Sequence, residues 1–119
     1  MIYLAGPYSH DDHLVVLDRA HKHSVFLIEC DSAGHDVYSP ITHWHGVTRG
    51  RGLLDTPGAW RRRSLAMLRL ASELWILMLP GWEKSKGTKI EIREAGRLGI
   101  RIRYFNPANY RENDQQIIT

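Results

Sequence analysis

The stretch ELWILMLPGWEKSKGTKIEIREAG, residues 73–96, decides the fold of this chain. Residues 74–79 within it form a continuously apolar run, which is typical of a central strand covered on both faces. A loop containing glycine and serine follows, and the pattern then predicts a helix that begins at Ser85 or Lys86 and ends at Leu98. Strand, loop and helix in this order form the repeating unit of a parallel α/β sheet.

The rest of the chain repeats this unit. Residues 2–6, IYLAG, predict a buried strand, and a helix is expected from its caps near Asp12 to about Ala33. Residues 35–40, HDVYSP, predict a second strand that ends at a proline. A further helix is predicted over residues 57–72. Finally, the sequence IRIRYF at the end of the chain alternates apolar and basic residues, as an edge strand does.

Between the second strand and the next helix, residues 41–58 show many glycine and proline signals and little periodicity, which predicts a long loop. Residues 1–119 are therefore expected to form a single flavodoxin-like or Rossmann-like α/β domain, with a four- to five-stranded parallel sheet between helices. Ligands of such sheets bind beyond the carboxyl ends of the strands. The segments GPYS, SPITHWH and GWEKSKG are thus expected to meet in one crevice.

The composition limits the class of protein. A formal charge of +3, from 16 basic and 13 acidic residues without long basic runs, favours a small anionic ligand over a nucleic-acid polymer. The single cysteine, Cys30, cannot form an internal disulfide, which indicates a reducing compartment. No apolar stretch is long enough to span a bilayer. We therefore expect a soluble cytoplasmic protein with no membrane partner.

The loop after the central strand is the strongest candidate for ligand binding. Ser85 and the backbone N–H groups around Gly87 stand at a helix start, where unpaired donors and the helix dipole favour an anion. Glu91 follows six residues after Ser85 and can reach the same crevice. Spacing alone also allows a simpler interpretation, in which Ser85 is only a helix cap and Glu91 is a solvated side chain.

YLAGPYS, residues 3–9, and SKGTKIE, residues 85–91, together resemble the nucleoside 2-deoxyribosyltransferase-like superfamily. The sequence is most similar to a short bacterial and phage branch with the motifs YLAGPY and LPGWExSxGxxxE, and the resemblance covers nearly the whole chain. It implies cleavage of the N-glycosidic bond of a 2'-deoxynucleoside or its 5'-monophosphate, with Glu91 as nucleophile and Ser85 on the phosphate. It also implies a homodimer or homotetramer.

The chemistry implied by this resemblance accounts for a glutamate behind an anion-binding loop. A carboxylate that attacks C1' gives a covalent glycosyl-enzyme through an oxocarbenium-like state, which negative charge stabilises. Ser85 and the basic loop favour a hydrolase acting on a 5'-monophosphate, with water as acceptor and no cofactor. The alternatives are a transferase that exchanges bases and a non-catalytic domain that binds or senses a nucleotide.

At one position the chain departs from the family pattern. Family members commonly carry an aspartate on the helix before the central strand, and the matching residue here is Ser64. Serine is a poor general acid, so either another group protonates the departing base or activity is weak, altered or absent. The candidates are His43, His45 and Asp55. His43 is preferred, because histidine titrates near neutrality, whereas His45 is more simply an exposed loop residue.

The opening segment supplies further candidate site residues. Tyr3 is expected to orient the nucleophile through its hydroxyl, although a strand tyrosine is more often simply packed. Gly6 allows the backbone to approach a ligand closely, and Pro7 stiffens the turn. Tyr8 is expected to line the sugar or base pocket. Trp82, in the loop beside the helix, is expected to stack on a base.

Other aromatic and histidine residues are given structural roles. Trp44 and Trp60 are further candidates to stack on a base, although for Trp60, as for Trp75, a place in the core is preferred. The seven histidines include the pairs HWH, HDDH and HKH, but none has cysteine or carboxylate partners at a known ligand spacing, so no metal is expected.

Overall fold

Helices separate successive strands in the described part of the chain, residues 1–48 and 57–107, in the computed structural model, and two of them lie between the second and third strands. The elements are β1 (Ile2–Ala5), α1 (His13–Ser32), β2 (Val37–Tyr38), α2 (Pro40–Thr48), α3 (Pro57–Leu68), β3 (Glu73–Leu77), a 3₁₀ turn (Trp82–Lys84), α4 (Lys86–Leu98) and β4 (Arg101–Phe105).

All four of these strands pair in parallel, in the order β2-β1-β3-β4. The flavodoxin-like or Rossmann-like α/β class is therefore confirmed, with four parallel strands among the described residues. β4 lies at the edge of the sheet, as its alternating sequence predicts. Because β1 lies between β2 and β3, the chain changes its direction of winding there. The carboxyl ends of β1 and β3 thus flank the point where such sheets bind ligands.

Alternation along the strands divides the core between the two faces of the sheet. One face packs against α1, and its buried residues are Leu4, Phe26, Cys30, Trp75, Leu77, Leu79 and Phe105. The other face packs against α3 and α4, and its buried residues are Tyr3, Ala5, Leu68, Ala71, Leu74, Ile76 and Ala95. Trp75 is a core residue, as predicted. Tyr3 consequently points toward α3 and α4.

The prediction of a loop over residues 41–58 is wrong for its first half, which forms α2. The Ser39 hydroxyl caps this helix by accepting the Thr42 N–H at 3.1 Å. Pro40 stands at the start, where a proline needs no N–H partner and its fixed φ suits a helix. Ile41 is buried. The remaining loop residues 49–56, like the tail 108–119, lie outside the described residues.

Most other boundaries agree with the sequence to within a few residues. Asp12 caps α1 by accepting the Leu14 N–H at 3.0 Å, and Gly99 ends α4 with a φ of 71°. The α3 helix is shorter than predicted and ends at Leu68. In residues 1–48 and 57–107, no helix combines the length and the apolar character needed to cross a membrane.

Candidate active site

A cavity of about 640 Å³ opens beyond the carboxyl ends of β1 and β3. Its walls come from the segment after β1, the start of α2, the inner face of α3 and the first two turns of α4. The structure thus brings together residues of GPYS, SPITHWH and GWEKSKG. Its volume lies within the range of pockets that hold small organic ligands.

Glu91 lies in the wall of this cavity, although the simplest interpretation of its spacing made it a solvated residue. It is only 6 % exposed, because Thr88, Glu91 and Ala95 form the buried stripe of α4 at helical spacing. Burial raises the pKa of the Glu91 carboxyl to about 7, and the nearby Tyr3 hydroxyl limits the rise. A carboxyl in this state changes its charge near neutral pH.

Three buried hydroxyl groups surround this carboxyl or lie beside it, on Tyr3, Ser64 and Thr88. None of the three has a hydrogen-bond partner of normal geometry within the described part of the chain. Burial, followed by the negative charge of Glu91, raises the pKa of Tyr3 well above its ordinary value. Ser64 and Thr88 border the cavity. Buried polar groups without partners are unusual in proteins, so the Ser64 and Thr88 hydroxyls at the cavity wall are the candidates for contact with a ligand.

The border of the cavity at the start of α4 carries positive charge. Arg61, Lys84 and Lys86 border it there, next to the N-terminus of α4. Ser85 is the N-cap of this helix, and its hydroxyl accepts the Thr88 N–H at 3.2 Å. The unpaired N–H groups of the first turn, including that of Gly87, add to these three basic side chains. Together they form a cationic rim of the cavity that favours an anion.

Gly6 is required by packing inside the protein. A side-chain carbon at this position would lie 2.7 Å from Cε1 of His23 and 3.0 Å from the Leu77 carbonyl oxygen. Gly6 also borders the cavity, whereas Pro7 is buried and is not among its lining residues. Burial lowers the pKa of His23 to about 4. A neutral imidazole that sequence reasoning missed thus supports the turn from beneath.

Tyr8 and Trp60 form an aromatic wall. Their rings lie almost parallel, with centroids 6.4 Å apart and an angle of 18° between planes. The prediction that Trp60 belongs to the core is wrong, because Trp60 and Ser64 are one turn apart and face the cavity together. The Tyr8 hydroxyl is bonded to Nδ1 of His45 at 2.7 Å. This bond connects His45, the less favoured histidine, to the cavity wall.

Residues 1–106 match the model of a protein family described as a domain of unknown function, DUF1937. The chain belongs to the DUF1937 family. The match includes all four strands and every cavity residue named above. No curated protein matches the chain.

Besides the buried Tyr3 and Pro7, two predicted site residues of this DUF1937 protein do not line the cavity. His43 is exposed and packs beside Tyr38 and Trp44, with ring centroids 6.0 and 4.8 Å away. The Trp82 ring packs against Tyr104 at 5.7 Å and against the core on the α3 and α4 side. Neither residue lines the cavity, so neither is placed to contact its ligand. Asp55 lies outside the described residues.

Arg19 is a positioning residue of the DUF1937 chain that sequence reasoning missed, and it does not itself line the cavity. From α1, its guanidinium donates to the Ser9 carbonyl at 2.7 Å and to the Pro80 carbonyl at 3.1 Å. It therefore ties the segment after β1 to the segment after β3. The Gly81 backbone passes so close that a side-chain carbon there would lie 3.0 Å from Arg19 Nη2. A single basic residue on a helix gives no signal of this role in the sequence.

A metal centre has no support in the described ranges. No group of three or more histidine, cysteine, aspartate or glutamate side chains there is placed to hold a metal ion.

Proposed function

We propose that this DUF1937 protein hydrolyses the N-glycosidic bond of a 2'-deoxynucleoside 5'-monophosphate, giving the free base and 2-deoxyribose 5-phosphate. The observation that carries the proposal is a buried carboxyl and an anion-binding helix start in one cavity. Ser85 and Glu91 are six residues apart, which corresponds to about 9 Å along a helix axis. That separation leaves room for a sugar between a phosphate at Ser85 and the Glu91 carboxylate.

The reaction has two covalent steps in this proposal. A Glu91 carboxylate oxygen bonds to C1' as the C1'–N bond breaks, and the bonding electron pair leaves on the base, which takes up a proton. Water then adds to C1', the bond to Glu91 breaks, and the water gives up a proton. One water molecule is consumed, and the Glu91 carboxylate is regenerated.

The surroundings of Glu91 suit the charge that develops in these steps. Positive charge appears on the sugar in the oxocarbenium-like state, and a carboxylate removed from water stabilises it more strongly than an exposed one. The cost is that Glu91 must be ionised, and burial holds its pKa at about 7. Tyr3 offsets part of that cost, since its hydroxyl favours the ionised carboxylate.

The aromatic wall is the proposed binding surface for the base. Tyr8 and Trp60 present nearly parallel rings, and aromatic rings of this kind can stack on any nucleobase. A side-chain carbon at Gly87 would lie 3.9 Å from Trp60 Nε1, so this wall adjoins the cationic rim. The Tyr8 hydroxyl and His45 then form the proposed route for a proton to the base. This route takes the place of the family aspartate, which is Ser64 in this chain.

A non-catalytic nucleotide-binding domain is the second candidate, and Ser64 is the observation that favours it. The described lining residues carry two carboxyl groups, on Asp11 and Glu91. A protein that only binds nucleotides through the rim and the aromatic wall would need neither an acid at position 64 nor an ionised Glu91. A base-exchanging transferase shares the first covalent step and differs in its acceptor.

The test incubates the protein with a panel of deoxynucleoside 5'-monophosphates and measures the release of free base by chromatography. We expect release by the parent protein, loss in Glu91→Ala, and full activity in the control Glu83→Gln, which alters an exposed carboxylate near the same loop. Absence of release together with thermal stabilisation by the nucleotides would favour the binding domain. Incorporation of a labelled free base would favour the transferase. Release that survives Glu91→Ala would contradict the mechanism.

A further inference from the structure

The outward face of α1 is unusually apolar. Among the described residues, eight large hydrophobic side chains are exposed, and four of them lie on this helix: Leu14, Leu17, Val25 and Ile28. Leu14 is 73 % exposed and Ile28 65 %. At 3.6 residues per turn, the four fall within an arc of about 80°. The opposite face of α1 already supplies the core, so this second apolar stripe has no partner within the described chain.

The stripe is symmetric about His21. Leu14 and Ile28 each stand seven residues from His21, and Leu17 and Val25 each stand four residues from it. His21 is itself exposed and lies in the middle of the same arc. A second α1 placed antiparallel, with a two-fold axis through His21, would therefore set Leu14 against Ile28 of the partner subunit. The same axis would set Leu17 against Val25 of the partner subunit.

The charged residues beside the stripe also come into register when a second α1 packs antiparallel about His21. Asp18 and Lys22 lie on one flank and form a salt bridge of 2.8 Å within the helix, with both side chains about half exposed. In the antiparallel pair, Lys22 of the partner subunit falls level with position 20. This is about 3 Å along the axis from Asp18. The symmetry gives two pairs of Asp18 with Lys22 of the partner subunit, and these outnumber the single pair of Lys22 side chains at the same axial offset.

We propose that this face of α1 is a self-association surface, on which a second copy of the chain packs antiparallel about His21. The proposal is independent of the proposed function. The seam from Leu14 to Ile28 is about 21 Å long. A single pair of helices of this length buries less than a standard interface of about 1,600 Å². The dimer is therefore expected to depend on protein concentration over the micromolar range.

Sedimentation velocity over a concentration series tests the surface. The parent protein is expected to shift from its 13.7 kDa monomer toward twice that mass as the concentration rises. Leu17→Asp and Val25→Asp should abolish the shift, because each would bury a charge in the seam. Leu70→Asp is the control, since Leu70 is as exposed as Leu14 but lies outside α1. A parent protein that stays monomeric, or a control that dissociates equally, would overturn the proposal.

Cross-linking tests the antiparallel register. Two copies of residue 21 meet at the two-fold axis, whereas two copies of residue 14 lie about 21 Å apart. Under mild oxidation, His21→Cys is expected to form a disulfide-linked dimer, and Leu14→Cys is not. The native Cys30 is buried and does not compete. Equal cross-linking of the two variants would overturn the register.

Charge exchange gives a readout that does not depend on the apolar residues. Asp18→Lys should weaken the dimer, and the combination of Asp18→Lys with Lys22→Asp should restore it, because opposite charges again face each other. Failure of the combined variant to dimerise better than Asp18→Lys would count against the charge pairing on which the proposal rests.

Discussion

The Tyr3 hydroxyl and the Glu91 carboxyl are buried together beneath the cavity, and each changes the ionisation of the other. The charge of Glu91 contributes to a raised pKa of Tyr3, and the hydroxyl of Tyr3 lowers the pKa of Glu91 relative to burial alone. Tyr3 lies on β1 and Glu91 on α4, at opposite ends of the chain. Their contact depends on the β1-β3 pairing, which sets β1 beside the strand that α4 follows.

This contact predicts the effect of Tyr3→Phe. Loss of the hydroxyl removes the group that favours the ionised carboxylate, so the pKa of Glu91 should rise above about 7. The acid limb of the pH profile for base release should then move to higher pH, by up to about one unit. The control is Tyr38→Phe, which alters the neighbouring ring on β2. An acid limb that stays in place would show that Tyr3 does not act through Glu91.

Glu91→Gln should stabilise the protein at alkaline pH. The pKa of Glu91 is raised from its ordinary value of 4.5 to about 7, so the fold favours the protonated form. Stability is therefore fully present below pH 4.5, falls as the pH rises to 7, and stays low above it. At pH 8 the neutral amide should raise the free energy of unfolding by about 3 kcal/mol.

Urea unfolding of parent and Glu91→Gln at pH 4 and pH 8 measures this difference. The two proteins should have similar stability at pH 4, where the parent carboxyl is protonated. A variant that is less stable than the parent at pH 8 would show that Glu91 is ionised without penalty. Loss of base release with a gain in stability is the combination expected of a functional residue held under strain.

The order of elements can be predicted from this sequence because each signal is local. The apolar run of β3, the cap at Ser85 and the glycine at Gly99 each report on neighbouring residues. The convergence of the three loop segments follows from the parallel topology alone. Glu91 and Ser64 belong to the predicted site through the family resemblance and the helix spacing, and the structure places both at the cavity.

The remaining site residues depend on packing between distant elements. Trp60 is a large aromatic residue of the kind usually found in a core. Only the position of α3 beside the cavity makes it part of the aromatic wall. Of the two histidines of α2, His45 contacts Tyr8 and His43 points outward, because the α2 helix separates them by about 200°. The sequence predicts a loop in this region, where neighbouring residues carry no such distinction. Arg19 likewise acts on two segments remote from it in the chain.

Ser64→Asp should increase the rate of base release. The side chain would lie at the cavity wall near Glu91, where two carboxyls in proximity keep one of them protonated as an acid. General acid catalysis typically contributes about 10²- to 10⁴-fold, so we expect at least a tenfold gain over the parent. Ser64→Asn is the matched control, because it has the same shape and cannot release a proton. If both variants behave alike, the missing acid does not limit the rate.

Arg19→Lys should weaken nucleotide binding more than it slows the chemical step. The planar guanidinium donates to the Ser9 and Pro80 carbonyls at once, and a lysine ammonium on its flexible stem cannot hold both in the same geometry. The two loops that border the cavity should then separate, which raises KM several-fold while kcat changes little. Two hydrogen bonds from a charged donor also contribute about 2 kcal/mol or more to stability.

The control for this variant is Arg69→Lys, which alters an exposed arginine bonded to Glu94 away from the cavity. Steady-state kinetics and urea unfolding of both variants separate the two effects. Arg19→Lys should lower stability and raise KM together, and saturating nucleotide should restore the unfolding midpoint of the variant. A fall in kcat with KM unchanged would instead place Arg19 in the chemical step, and its bridge between the loops would then be incidental to binding.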